Sequence, residues 1–101
     1  MSILHTVNKS PFQTQSLSSC VAHASDGDAI LMIEDAVYGA VTGTVAAAQL
    51  AENKKVSIYA LGPDLSARGL GEAKLADGVN IVDYDGFVDL AVEHDKTQSW
   101  L

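Results

Sequence analysis

Short apolar runs alternate along this chain with longer segments of mixed polarity. The runs of strand length are ILHTV (Ile3–Val7), AILMI (Ala29–Ile33), VSIYAL (Val56–Leu61) and the briefer VNIV (Val79–Val82). A continuous apolar run such as AILMI is typical of a strand that is covered on both faces. We therefore predict four strands that lie in the core of the molecule.

The segment after the first strand carries signals for the start of a helix. Ser10 is a candidate N-cap, Pro11 suits the first helical turn, and Gln13 completes a capping box. We predict a helix over Pro11–Ala24. The sequence SDGD ends it, because Gly27 readily adopts positive φ.

Three further helices are predicted after the other strands. Thr44 opens an alanine-rich helix, and a short helix begins at Asp64 after a turn at Gly62–Pro63. The mixed segment EDAVYGAVTG before Thr44 reads as a loop or short turn. The last helix, DGFVDLAVEHD, places four side chains at helical spacing: Phe87, Leu90, Ala91 and His94.

The resulting order is β-α-β-α-β-α-β-α, which indicates a mostly parallel, doubly wound sheet with helices on both faces. We expect one three-layer α/β/α domain over residues 1–101. Such sheets bind ligands beyond the carboxyl ends of their strands. In this chain those ends are Asn8–Ser10, Glu34–Tyr38 and Gly62–Asp64.

Composition narrows the classes of function. The chain has 101 residues, of which 48% are hydrophobic, so it can bury a core. With a net charge of −7 and only six basic residues, electrostatic binding to nucleic acid is not expected. No apolar run reaches the length of a membrane span, and the start lacks the apolar core of a signal peptide. We expect a cytoplasmic protein.

The single cysteine, Cys20, excludes a disulfide within the chain and a cysteine-rich zinc site. In the predicted first helix Cys20 lies at the edge of the apolar stripe formed by Leu17, Val21 and Ala24. It is either a half-buried structural thiol or a reactive thiolate. In the second case His23, three residues on, would lower the thiol pKa when it is protonated.

The histidines and glycines do not indicate a bound metal or cofactor. His5 is expected to be a core histidine, and His94 lies near a helix C-terminus, where the dipole favours its protonated form. His5, His23 and His94 do not show the i, i+4 pairing of a helical metal site, and no glycine motif matches a nucleotide-binding loop.

Three further groups of residues bear on structure or function. Glu34 and Asp35 follow the second strand, where they either cap a helix in a solvated loop or contribute to a ligand site. Asp83 and Asp85 lie near the start of the last helix, which favours acidic residues. Trp100, the only tryptophan, is expected to dock either on its own fold or on a partner.

Four stretches taken together resemble a known family. They are ILHTVNKSP, GDAILMIEDAVYGA, VSIYALGPDLSARGL and IVDYDGFVDLAVEHDKTQSW. They cover nearly the whole chain, in order, and resemble the DsrH/TusB family. Because TusB-type chains commonly lack a cysteine at this place, Cys20 favours DsrH. The resemblance also implies a DsrEFH-like α/β fold.

The resemblance implies a subunit of a sulfur relay. DsrH-like chains join DsrE-like and DsrF-like sister subunits in an α2β2γ2 heterohexamer, which passes persulfide sulfur from a TusA-like donor to a DsrC-like acceptor during oxidation of stored sulfur. A TusB-like chain would instead serve 2-thiouridine formation in tRNA. Cys20 becomes a candidate auxiliary persulfide carrier, so whether the chain itself is an enzyme stays open.

One departure from the family pattern bears on that role. In the sister subunit that holds the main active cysteine, this residue lies just past the third strand, where this chain has Tyr59, Ala60 and Leu61. The resemblance therefore places the principal chemistry on a partner. A scaffold subunit without chemistry of its own, and an unrelated small-ligand binder that uses Glu34, Asp35 and the Gly62–Asp64 loop, remain alternatives.

Overall fold

Five parallel strands form one sheet in the computed structural model, which describes residues 2–53 and 55–100. The sheet order is β4-β3-β2-β1-β5, where the strands are β1 (Ile3–Val7), β2 (Ala29–Met32), β3 (Ser57–Leu61), β4 (Val79–Val82) and β5 (Lys96–Trp100). Every neighbouring pair in this sheet is parallel. The predicted fold class is confirmed, and β1 and β4 have the predicted bounds.

Helices connect the strands, as parallel pairing requires. They are α1 (Ser16–His23), a 3-10 helix (Glu34–Ala40), α2 (Val45–Glu52), α3 (Gly62–Ala67) and α4 (Tyr84–Glu93). The segment predicted as a loop or short turn before Thr44 is thus largely a 3-10 helix. The short third helix begins at Gly62, earlier than the predicted Asp64, with Pro63 in its first turn.

The sheet separates two apolar clusters of unequal size. The larger cluster packs α1, α2, α3 and the 3-10 helix against one face of the sheet. On the other face, α4 alone supplies the cover, and only its Leu90 is buried, against Leu4, Ala29 and Leu31. The three layers are therefore asymmetric, with one face closed and the other thinly covered.

The first helix begins later than predicted. It starts at Ser16 rather than Pro11, because Ser10 forms a turn instead of an N-cap. The Ser10 hydroxyl accepts a hydrogen bond from the Phe12 amide at 3.1 Å, and the Ser10 carbonyl accepts one from the Gln13 amide at 3.1 Å. Gln13 therefore completes no capping box.

The strand β5 was not predicted. Its sequence, KTQSW, lacks the apolar alternation of a half-buried strand, and four of its five residues are exposed. It pairs with β1 at the edge of the sheet, with Trp100 opposite Val7. Of the two positions expected for Trp100, the structure shows docking on its own fold.

Two N-caps agree with the sequence-based expectations. The Thr44 hydroxyl accepts a hydrogen bond from the Ala47 amide at 3.0 Å. The Asp83 carboxylate accepts one from the Gly86 amide at 2.8 Å, so α4 begins at Tyr84, where an acidic cap offsets the positive end of the helix dipole.

Replacing Thr44, the N-cap of α2, tests how much this cap contributes to the stability of the fold. Thr44→Ala leaves the Ala47 amide without its side-chain acceptor, and we expect it to lower the free energy of unfolding by about 1 kcal/mol. Urea unfolding followed by circular dichroism measures the change. Thr42→Ala, at an exposed position nearby, is the matched control and should change stability little; equal losses in both variants would contradict the capping role.

Candidate functional site

Cys20 lies in the core beneath α1 rather than at the edge of its apolar stripe. Its exposed fraction is 0%, and with Leu17 it forms the buried side of the helix. Val21 and Ala24, which were expected to form that stripe with Leu17, are only partly buried. The prediction of a half-buried thiol was therefore wrong in degree, since Cys20 is fully buried.

The surroundings of Cys20 oppose ionisation. Burial and, secondarily, the negative charge of Asp28 raise the pKa of the Cys20 thiol to about 12. The thiolate is the nucleophilic form of cysteine, and a reactive cysteine has a lowered pKa and access to solvent. Cys20 has neither property in this conformation of the chain.

His23 does not lower the pKa of the Cys20 thiol, as the interpretation of Cys20 as a reactive thiolate required. Its side chain is exposed and lies edge-on against the Trp100 indole, with ring centroids 5.7 Å apart and the planes at 65°. The groups that shift the pKa of Cys20 are its apolar surroundings and Asp28, and His23 is not among them. His23 instead helps to hold the end of β5 against α1.

A chain of hydrogen bonds runs from the buried Asp28 through the buried His5 to the partly buried Trp100. The Asp28 carboxylate lies 2.9 Å from His5 Nε2, and the Trp100 indole N–H donates to His5 Nδ1 at 3.0 Å. Because Nδ1 accepts, the proton of neutral His5 is on Nε2, which donates to Asp28. His5 has an exposed fraction of 0%, which confirms the expectation of a core histidine.

Asp28 is the residue that sequence reasoning missed. Burial alone would raise the pKa of its carboxyl, but hydrogen bonds from the Ser25 amide, the His5 ring and the Ile3 amide outweigh burial and lower it. The amide bonds measure 3.0 Å each. Its only signal in the sequence is its place directly before β2, where an acid at a turn is ordinary.

The predicted ligand edge of the sheet holds a group of charged side chains. The Asp64 carboxylate accepts from the Glu34 amide at 2.6 Å, and Arg68 Nε donates to Asp35 at 2.9 Å. Glu34 adopts a φ of 49°, a left-handed conformation that this amide hydrogen bond helps to hold. The structure thus brings the acidic loop and the Gly62–Asp64 segment together, and Arg68 pairs with a carboxylate from each, Asp35 and Asp64.

A metal site and a membrane-spanning helix each place requirements on the described residues. Within residues 2–53 and 55–100, no three His, Cys, Asp or Glu side chains are grouped as metal ligands. No helix in the same part of the chain has the length and apolarity needed to cross a bilayer. His94 is bound locally, with its Nδ1 donating to the Leu90 carbonyl at 2.8 Å.

Comparison with known proteins identifies the family of the chain. Residues 9–97 match the family described as DsrH like protein. The chain belongs to this DsrH-like family. It is 35% identical over 98 residues to Protein TusB of Escherichia coli strain K12, and 34% identical over 98 residues to Protein TusB of Pectobacterium parmentieri. Both matches cover 97% of this chain and 100% of the relative.

Solved structures of low sequence identity share the DsrH-like fold. The ychN protein of E. coli superposes with a TM-score of 0.83 at 18% identity, covering 99% of each chain. Protein MTH1491 of Methanobacterium thermoautotrophicum gives a TM-score of 0.73 at 16% identity, covering 97% of this chain and 96% of its own. Membership of the DsrH/TusB family implies a subunit of a sulfur relay.

The burial of Cys20 predicts slow chemistry at its thiol. In the native chain we expect an aromatic disulfide reagent to label Cys20 at least about a hundredfold more slowly than in denaturant, because labelling must await local opening. Absorbance of the released thiol measures the rate directly, as Cys20 is the only cysteine. Equal rates in native and denatured protein would contradict the buried position.

The buried carboxylate predicts a pH-dependent stability. The lowered pKa of Asp28 means that its contribution is present above the unfolded value, about pH 4, and is lost as pH falls through the folded value. Asp28→Asn should therefore cost about 1–3 kcal/mol at pH 7 and progressively less below about pH 4. Urea unfolding across this range measures the difference. Asp77→Asn, at an exposed position, should stay close to the wild type throughout.

Proposed function

We propose that this chain is a scaffold subunit of a cytoplasmic sulfur-relay assembly and that a sister subunit carries the reacting thiol. Membership of the DsrH/TusB family supports the relay. The observation that carries the scaffold role is the state of Cys20, which is fully buried and has its pKa raised to about 12. A subunit whose only thiol is inaccessible contributes shape and contact rather than chemistry.

The chemistry of sulfur transfer explains why burial matters. In each step an acceptor thiolate attacks the outer sulfur of a donor persulfide, a new S–S bond forms, and the old one breaks to release the donor as a thiolate. The acceptor must therefore be ionised and must reach a sulfur on another protein. The packing that covers Cys20 opposes both requirements.

The end of β3 supports the same division of labour. The family resemblance places the main active cysteine of the sister subunit just past this strand. Here Leu61 is buried and leads directly into Gly62 of α3. No thiol is available at that place, so the subunit that exchanges sulfur with the donor and acceptor is a partner.

We further propose that the assembly is DsrEFH-like. The chain would join DsrE-like and DsrF-like subunits in a heterohexamer that takes sulfur from a TusA-like donor and gives it to a DsrC-like acceptor in the oxidation of stored sulfur. The match to the DsrH like family and the presence of Cys20 support this assignment. Identifying which acceptor protein binds the assembled complex tests this assignment.

A TusB-like role in tRNA 2-thiouridine formation is the second candidate. The 35% identity to Protein TusB over nearly the whole chain favours it. The two roles differ in the final acceptor and not in the packing of this subunit. Restoring thiolated tRNA in cells that lack TusB would support this candidate, whereas binding to a DsrC-like acceptor without such restoration would favour the first.

Removing the thiol tests the scaffold role. Cys20→Ala leaves a small cavity and should lower the free energy of unfolding by about 1 kcal/mol, while assembly with the sister subunits and the rate of sulfur transfer stay unchanged. Transfer of radiolabelled sulfur from the loaded donor through the reconstituted complex measures the rate. Loss of transfer in a complex that still assembles would contradict the scaffold role and support Cys20 as the auxiliary carrier.

A further inference from the structure

The outer surface of α4 carries two parallel rows of side chains. Tyr84, Val88 and Val92 recur every four residues and form an apolar row. Side chains four apart lie on the same side of a helix. One position further round, a second row consists of carboxylates, which are Asp85, Asp89 and Glu93. Neither row faces the sheet.

The apolar row is unusually open to solvent. The exposed fractions are 60% for Tyr84, 61% for Val88 and 78% for Val92. Single exposed apolar residues are ordinary, but a contiguous row marks an interaction surface. Within the chain, α4 packs against the sheet through the buried Leu90 and the partly buried Phe87, so the apolar row lies outside that contact.

The carboxylate row is unpaired within the described chain. Within residues 2–53 and 55–100, the neutral His5 ring is hydrogen-bonded to Asp28, and Arg68 forms ion pairs with Asp35 and Asp64. None of them involves Asp85, Asp89 or Glu93. Three negative charges therefore border the apolar row and are free to meet positive charges on another molecule.

We propose that this α4 double row is the docking surface for a sister subunit that presents an apolar row bordered by Lys or Arg. The proposal rests on the proposed function, which supplies the sister subunits as partners. Burial of the apolar row provides affinity, while the paired charges fix the register and exclude other partners.

A second copy of the chain fits this surface less well. In an antiparallel pair of α4 helices related by a two-fold axis, the two carboxylate rows would lie side by side. Each copy also carries a net charge of −7, and like charges across an interface oppose association. The charge pattern therefore selects a different, basic partner surface.

Two of the other exposed apolar residues provide a matched comparison. Phe12 and Val45 border a hollow between the start of α1 and α2, on the opposite face of the sheet. Among the described residues, no charged side chain lines this hollow. It has neither the repeat nor the charge of the α4 double row, so it is the natural control.

The test measures binding to the co-purified DsrE-like and DsrF-like pair from the same organism by titration calorimetry. Val88→Asp should weaken binding about tenfold or more, as expected for a residue at the centre of an interface. Val45→Asp should leave it unchanged. Both positions are exposed, so both variants are expected to fold, and circular dichroism checks this before binding is compared.

Charge reversal tests the second row. Asp85→Lys with Asp89→Lys should weaken binding by about tenfold at low salt and remove most of its salt dependence. Asp77→Lys is the control for net charge alone and should have a small effect. If Asp77→Lys weakened binding as much as the double variant, the proposed pairing of charges at this surface would be overturned.

The outcomes distinguish a failure of the proposed α4 docking surface from a failure of the proposed relay function. Loss of binding by Val45→Asp but not by Val88→Asp would overturn the α4 surface and leave the relay subunit intact. Failure of the wild-type chain to bind the sister pair would overturn both. A wild-type homodimer in solution that Val88→Asp converts to monomer would overturn the choice of partner.

Discussion

The buried contact between Asp28 and His5 holds the centre of this molecule together. Asp28 stands directly before β2, and its carboxylate binds the ring of His5 and the amide of Ile3, both in β1. The Asp28 carbonyl also accepts from the Ser57 amide at the start of β3. Through His5 the same contact reaches Trp100 in β5. Asp28 and His5 together thus link four of the five strands.

The asymmetry of the two faces follows from the order of strands. Connections through α1, α2 and α3 cover one face densely and bury the single thiol there. Only α4 returns across the other face to reach β5, so that face is thinly covered and its helix keeps an apolar outer row. A closed face with an inert thiol and an open face with a patterned surface fit a subunit that works by association.

Sequence patterns located the strands well because strong burial leaves continuous apolar runs. They did not predict the elements that depend on polar residues. β5 (Lys96–Trp100) is held by backbone pairing and one indole, which leave no periodic signal. Ser10 is followed by the sequence typical of an N-cap, yet it forms a turn. The burial of Cys20 depends on tertiary packing within the larger apolar cluster, which no local signal reveals. The partner of His5 is 23 residues away in the sequence.

The most direct test of the scaffold role is the position of sulfur in the loaded complex. The reconstituted assembly is incubated with persulfidated donor, and each subunit is weighed by mass spectrometry under non-reducing conditions. The account predicts the added mass of one sulfur atom on a sister subunit and an unchanged mass for this chain. Sulfur bound to Cys20 in the intact complex would contradict it.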